Sequence, residues 1–176
     1  LSEYNLVKVG EKIYISRTLS CQDIDAYARR DTGKSRDMVV GMMPPKLVQM
    51  MLNLANGKVL DEVRSFSEIS VYDPFCGLGT TLIEAMNMGY SHVIGSDLSP
   101  DMVRATRSSI DGYIADERMW QDRIRKAGGT PMRDVETIET DVFELDATRI
   151  YRYFEGKRLD DAIIVSEGYL GEIMMK

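Results

Sequence analysis

Residues 71–85, VYDPFCGLGTTLIEA, constrain the fold of this 176-residue chain more than any other stretch. Apolar and aromatic positions lead into Asp73-Pro74, Gly77 and Gly79 follow one residue apart, and Thr80-Thr81 open a new apolar run. A strand, a tight glycine turn and a fresh helix, in that order, form the opening unit of a parallel α/β sheet.

The same grammar continues downstream. The pattern predicts a strand at Ile69–Tyr72, a helix at Thr80–Met88 closed by Gly89, and a second strand at His92–Gly95. Ser99-Pro100-Asp101 supplies an N-cap, a first-turn proline and an acid suited to the helix dipole. That helix runs toward Lys126 with Gly112 as a candidate break. Val135–Glu139 reads as a third strand, Asp146–Phe154 as a helix and Ala162–Val165 as a fourth, wholly apolar strand. Strands alternating with helices imply a doubly wound, Rossmann-like parallel sheet covered on both faces. Upstream, Val7, Val9, Ile13 and Ile15 flank Gly10 as in a short hairpin, and Ser20 with Asp23 caps a short helix. MPPKLVQMMLNLANG is a further helix, prolines at its start and Gly57 at its end, with Leu47, Met50, Met51 and Leu54 at helical spacing. Its methionines read as core filler. We divide the chain into an extension at 1–40 and a core at 41–176.

Length fits one domain, and no apolar run reaches the roughly 18 residues of a membrane span. No signal peptide opens the chain, and Cys21 and Cys76 have neither metal-ligand nor disulfide-framework spacing, so no metal is expected and a reducing cytosol is the default setting. The net charge of −6 argues against a chain that coats nucleic acid by charge. Its distribution is uneven: residues 1–50 hold eight basic and six acidic side chains, and the remainder fourteen and twenty-two. Arg29, Arg30, Lys34, Arg36 and Lys46, against Asp31 and Asp37, form either a phosphate-facing patch or a solvated loop.

In a doubly wound sheet, ligands sit outside the carboxyl ends of the strands. No lysine follows Gly79, which excludes a phosphate-binding P-loop, and Asp73 in the turn would repel a pyrophosphate. An acid beside exposed backbone amides instead suits a ligand carrying both an amine and a carboxylate, such as the methionine end of S-adenosylmethionine (SAM). Asp97, 24 residues after Asp73, is read as ending the second strand, where it can accept from ribose hydroxyls, and Asp141 as ending the third, near an adenine amino group.

At these residues the chain resembles the class I SAM-dependent methyltransferases. The likeness is to the RNA methylase branch whose catalytic domains often accompany a THUMP RNA-binding domain, including tRNA guanine-N2 methyltransferases. DPFCGLGTTLIEA resembles that branch's first motif, IGSDLSPDMV its second, and GMMPPKLVQMMLNLA the helix before the core. The resemblance spans residues 27–171 and thins between 107 and 134. It implies that Asp73, Gly77 and Gly79 cradle the methionine end, Asp97 the ribose and Asp141 the adenine, with Phe75, Thr80, Leu98 and Val142 beside them.

In that family the fourth strand leads into an Asp/Asn-Pro-Pro-Tyr/Phe motif, whose oxygen acceptors draw on an exocyclic base amine while an aromatic ring stacks the base. This chain has Ser166-Glu167-Gly168-Tyr169 there. Counted from the strand, Glu167 takes the acidic position; if Tyr169 is the motif's aromatic, Ser166 takes it instead. Glu167 is preferred because it keeps a carboxylate able to accept a proton. Both prolines are absent. The chain also stops five residues after Gly171, whereas the family has three more strands, so a fragment, or a sheet completed by another chain, is expected.

The remaining candidates read as structural. His92 has no catalytic partner in view, Cys76 packs in the turn, and Tyr151, Tyr153 and Phe154 form a helix face in the core. Trp120 is a surface anchor or a lid. The resulting expectation is a cytoplasmic SAM-dependent methyltransferase acting on an exocyclic nitrogen of RNA, with tRNA guanine N2 as the expected target. The alternatives are a DNA amino-methyltransferase and a degenerate SAM-binding module that serves in assembly.

Overall fold

The computed structural model describes residues 3–21, 24, 27–28, 43–57, 66–131, 135–155 and 162–168. Tyr169, Gly171 and, apart from Lys46, the basic side chains of the 29–46 stretch lie outside the described residues. The chain divides into two compact units, Leu1–Gly33 and Lys34–Lys176.

The first unit contains a hairpin of β1 (Tyr4–Val9) and β2 (Lys12–Arg17), antiparallel with Leu6 opposite Ile15 and Val9 opposite Lys12. Gly10 takes a φ of 63°, which the two-residue turn needs and a side chain disfavours. Glu3 and Thr18 close the open end through a backbone bond of 3.0 Å and a side-chain bond of 2.7 Å.

The second unit is built on helix α1 (Pro45–Asn56), β3 (Ser70–Asp73), α2 (Thr80–Met88), β4 (His92–Asp97), α3 (Pro100–Lys126), β5 (Glu139–Glu144), a short helix α4 (Tyr151–Phe154) and β6 (Ala162–Ile164). The four strands are parallel in the order β5-β4-β3-β6. Successive strands step outward from β3 to β5, and the chain then returns to place β6 on the other side of β3. That reversal is the topological switch point of a doubly wound fold.

The long apolar elements form where their patterns predict them, and α3 runs unbroken through Gly112 with the Ser99 hydroxyl accepting from the Met102 amide. Two expectations need correction. The third strand lies at Glu139–Glu144, and Val135–Thr137 is instead a 3₁₀ turn. The strand is the sheet's outer member among the described residues, and only Val142 in it is buried, so its apolar signature is faint. In α1 the buried stripe is Val48 and Leu52, whereas Leu47, Met50 and Leu54 face solvent.

The core joins Val71, Val93 and Val142 of the sheet to Leu82 and Ile83 of α2, Val103 and Ile110 of α3, and Val48 and Leu52 of α1. By strand alternation Tyr72 and Phe143 point the other way. Phe154 meets the Tyr72 ring edge-on at 5.3 Å, and Tyr153 stacks on Phe143 at 4.1 Å. Tyr151, by contrast, is exposed and outside the core. Glu84 is wholly buried, and Gln49 of α1 donates to its carboxylate at 2.7 Å, tying the first two helices together. His92 accounts for itself structurally: at the amino ends of three strands, its Nδ1 lies 2.7 Å from the Ser70 hydroxyl and its Nε2 3.2 Å from Glu139.

Gly95, in the middle of β4, is where the glycine turn and α2 approach the sheet most closely. A Cβ there would stand 2.6 Å from Leu82 Cδ1 and 3.1 Å from Cys76 Cβ. Gly95→Ala should therefore destabilise the fold by about 1–3 kcal/mol through overpacking. Urea denaturation checks this; an unchanged midpoint would show that the two neighbours move aside freely.

Candidate active site

The carboxyl ends of β3, β4 and β6 converge on the glycine turn. Asp73 is the last residue of β3 and is 1% exposed. After it, Pro74 and Phe75 turn the chain over the end of β4, where the Cys76 amide donates to Ser96 O at 2.9 Å and the Gly77 amide to Asp97 Oδ2 at 3.0 Å. Gly77 and Gly79 have φ values of 51° and 85°, backbone that only glycine adopts readily. The turn then becomes α2, which starts at Gly79 with no side-chain cap. Its first amides are left to be satisfied by something else.

Asp97 holds this arrangement from the other side. Its Oδ2 binds the turn, and its Oδ1 accepts from the Ser99 amide at 2.9 Å, which starts α3. Each carboxylate oxygen has two lone-pair directions, so both retain capacity for a further donor. Phe75 and Leu98, each beside one of these acids, are exposed apolar side chains. Thr80 is buried in the first turn of α2.

Asp73 reaches across the switch point. Ser166, just beyond β6, donates to Asp73 Oδ1 at 2.6 Å, and the Phe75 amide donates to the same oxygen at 3.0 Å. The Val165 amide continues the ladder to Tyr72 O at 3.0 Å. Burial raises the pKa of Asp73 above the ordinary aspartate value, and the hydrogen bonds from Ser166, Thr81 and the Phe75 amide partly offset this. With its hydroxyl proton committed to Asp73, Ser166 leaves Glu167 as the exposed carboxylate of this segment. The other member of the expected acceptor group, Tyr169, is not among the described residues. Cys76 is buried, and desolvation pushes its thiol up to about 12, so it is no nucleophile at neutral pH.

Asp141 departs from its expected place. It is the third of six residues in β5, paired with Ile94 in the middle of β4, and accepts from the Tyr153 hydroxyl. It lies three residues behind Glu144, the residue opposite Asp97, which at the rise of a strand is about 10 Å back from the edge. Asp141 and Val142 line a cleft of about 280 Å³ between β5 and α3, with Arg107, Ile110, Asp111 and Thr140. The Arg107 guanidinium donates to Val142 O there, through Nε at 3.1 Å.

β5 itself ends on Glu144, and the acid that follows it at the start of the next helical turn is Asp146. The Leu145 amide donates to Asp97 O at 3.0 Å, extending the ladder, and Asp146 follows with its Oδ1 accepting from the Thr148 amide and hydroxyl. These bonds, led by the one from the Thr148 side chain, lower its pKa. Leu145-Asp146-Ala147-Thr148 has the same strand–acid–helix grammar as Ser96-Asp97-Leu98-Ser99. That signal is hidden once the strand is placed four residues too early.

A glycine turn held between acids thus lies at the switch point of a Rossmann-like parallel sheet. In sequence, the chain is similar to tRNA (guanine(10)-N2)-dimethyltransferase of Methanothermobacter thermautotrophicus, 32% identical over 107 residues, which is 61% of this chain and 29% of that protein. The enzyme of the same description from Methanocaldococcus jannaschii is 33% identical over 108 residues, again 61% of this chain and 28% of the relative. The chain thus spans less than a third of the length of these relatives. No family model matches it. The crystal structure of TrmN from Thermus thermophilus aligns with a TM-score of 0.49 at 20% identity, over 97% of this chain and 40% of that one.

The raised pKa of Asp73 has a stability consequence. Between the ordinary aspartate value and the raised one, the native state keeps a proton that the unfolded chain has released. Stability from this group therefore falls as pH rises through that window, and the buried charge remains a cost above it. Asp73→Asn, which can still accept from Ser166 and the Phe75 amide, should unfold at the same or a higher temperature at pH 7. Below the window the difference should vanish. A large loss of stability at pH 7 would show that the charge is needed for folding.

Proposed function

We propose that this chain forms the SAM-binding part of a SAM-dependent methyltransferase acting on an exocyclic base nitrogen of tRNA, guanine N2. The observation that carries the reading is that Asp73 and Asp97 hold the glycine turn between them at the switch point, beside an uncapped helix start. The two relatives named for tRNA guanine-N2 dimethylation support the substrate class.

The residues fit the cofactor part by part. The first amides of α2 and the amides of the turn suit the methionine carboxylate. Asp73 lies where a cationic amine is favoured. Asp97 keeps lone pairs for ribose hydroxyls, and Asp146, whose Oδ2 makes no hydrogen bond among the described residues, takes the place at the strand end first given to Asp141. Phe75 and Leu98 offer apolar surface to the nucleoside. When bound, SAM supplies an electrophilic methyl group.

Glu167 is the acceptor on the substrate side. Its carboxylate follows β6 by three residues and is exposed to a ligand from outside. It accepts a hydrogen bond from the base amine, orients its lone pair and takes up the proton released on transfer. β6 is the last strand on its side among the described residues, and its Ile164 is 64% exposed, an edge that a further strand or a second chain would cover. The reading places the protein with tRNA in the cytoplasm, and no described helix is long and apolar enough to cross a membrane.

Two substitutions separate the roles. Asp97→Ala removes charged hydrogen bonds and should weaken SAM binding about tenfold to a hundredfold by calorimetry. Undiminished affinity would reject the site. Glu167→Gln should leave SAM affinity unchanged and abolish methyl transfer to tRNA. A fully active variant would move the acceptor role elsewhere.

A further inference from the structure

We infer that Thr106 is a positioning residue that locks the glycine turn in the orientation that presents an amide to the cofactor's carboxylate. The inference rests on the SAM reading above. It adds a side chain outside every motif that pointed to the site.

Thr106 lies two turns into α3, on the buried stripe with Val103 and Ile110, and is 0% exposed. A threonine within a helix commonly returns its hydroxyl proton to its own helix backbone. Here the hydroxyl instead donates to Gly77 O at 2.6 Å, with Cys76 Sγ a more distant 3.6 Å away. The methyl group of the same side chain closes the other half of the turn. A Cβ on Gly79 would lie 3.0 Å from Thr106 Cγ2. One side chain thus touches both glycines that carry left-handed backbone.

The consequence follows from peptide geometry. In a planar trans peptide the carbonyl and the amide hydrogen point in opposite directions. Drawing the Gly77 carbonyl onto α3 therefore turns the Leu78 amide away from α3. That amide donates to no acceptor among the described residues, although the Leu78 side chain is buried. The neighbouring Gly77 and Gly79 amides are both taken, by Asp97 and by Cys76 O. The Leu78 amide is the donor in the turn left for an anion, and Thr106 fixes its direction. Without the hydroxyl the 77–78 peptide can rotate, since glycine at 77 imposes little barrier.

The test uses the full chain with Thr106→Val, which keeps the shape and loses the donor, and Thr106→Ser, which keeps the donor. Thr106→Ala serves as the hydroxyl-free variant if the valine does not fold. At a temperature where thermal melts show each variant folded, calorimetry with SAM should give a Kd about tenfold or more weaker for the hydroxyl-free protein. Thr106→Ser should bind within about threefold of the parent. Parent-like affinity without the hydroxyl would overturn the proposal, as would equal weakening in Thr106→Ser and Thr106→Val. The Leu78 amide resonance in ¹⁵N-labelled protein gives a second readout that needs no ligand. It should shift in the hydroxyl-free variant and return in Thr106→Ser. If the parent binds no SAM, the cofactor reading fails, and an unmoved Leu78 resonance would sink the lock as well, whereas the shift and its return would uphold it.

Discussion

The hydrogen bond from the Cys76 amide to Ser96 O is the contact on which the site depends. It pulls the chain leaving β3 sideways over the end of β4, so that the next amide, Gly77, reaches Asp97. It also sets Cys76 against the bare backbone of Gly95. Everything at the carboxyl edge is then placed relative to that fold-over. α2 starts from its far side, α3 starts from the acid that grips it, and Asp73 is buried beneath it. A side chain at the crossing point would crowd the turn, which ties the interior of β4 to the geometry of the carboxyl edge.

How much of this can be read from the residues differs by element. β3, α2, β4 and α3 have strong patterns because each is apolar on a face that the core covers, and their caps and glycines mark their ends. The turn itself is legible because Gly77 and Gly79, with φ values of 51° and 85°, supply backbone that other residues disfavour. β5 is not, because an outer strand buries one side chain in six and so carries little periodicity. The misplacement passes directly into the site: it puts Asp141 at a strand end, and it leaves Asp146, a helix N-cap as its pattern predicts, without its second place just beyond the strand. Similarly, α1 was legible as a helix, but not as to which face it buries. Leucine and methionine occupy more of its circumference than the neighbouring helix covers, so spacing could not distinguish Val48 and Leu52 from Leu47 and Leu54.

Ser166 and Glu167 illustrate a different limit. Sequence counting left two registers for the acceptor segment, and no property of the residue types chose between them. Packing distinguishes their surroundings: the Ser166 hydroxyl completes the hydrogen bonding of a buried acid, whereas the adjacent Glu167 carboxylate is exposed. Thr106 lies further still from what sequence can reveal, because nothing about a threonine in a helix says that its hydroxyl leaves the helix.

The bond between Ser166 and Asp73 joins residues 93 apart in the chain. Closing a loop of that length carries an entropic penalty that local contacts do not, and such contacts form slowly. The first three strands and their helices can assemble from near neighbours, but the buried acid gains its serine donor only after the chain has crossed back to lay down β6. The Ser166–Asp73 contact therefore waits for β6. Until β6 docks, a polypeptide emerging from the ribosome lacks the serine donor to its buried acid.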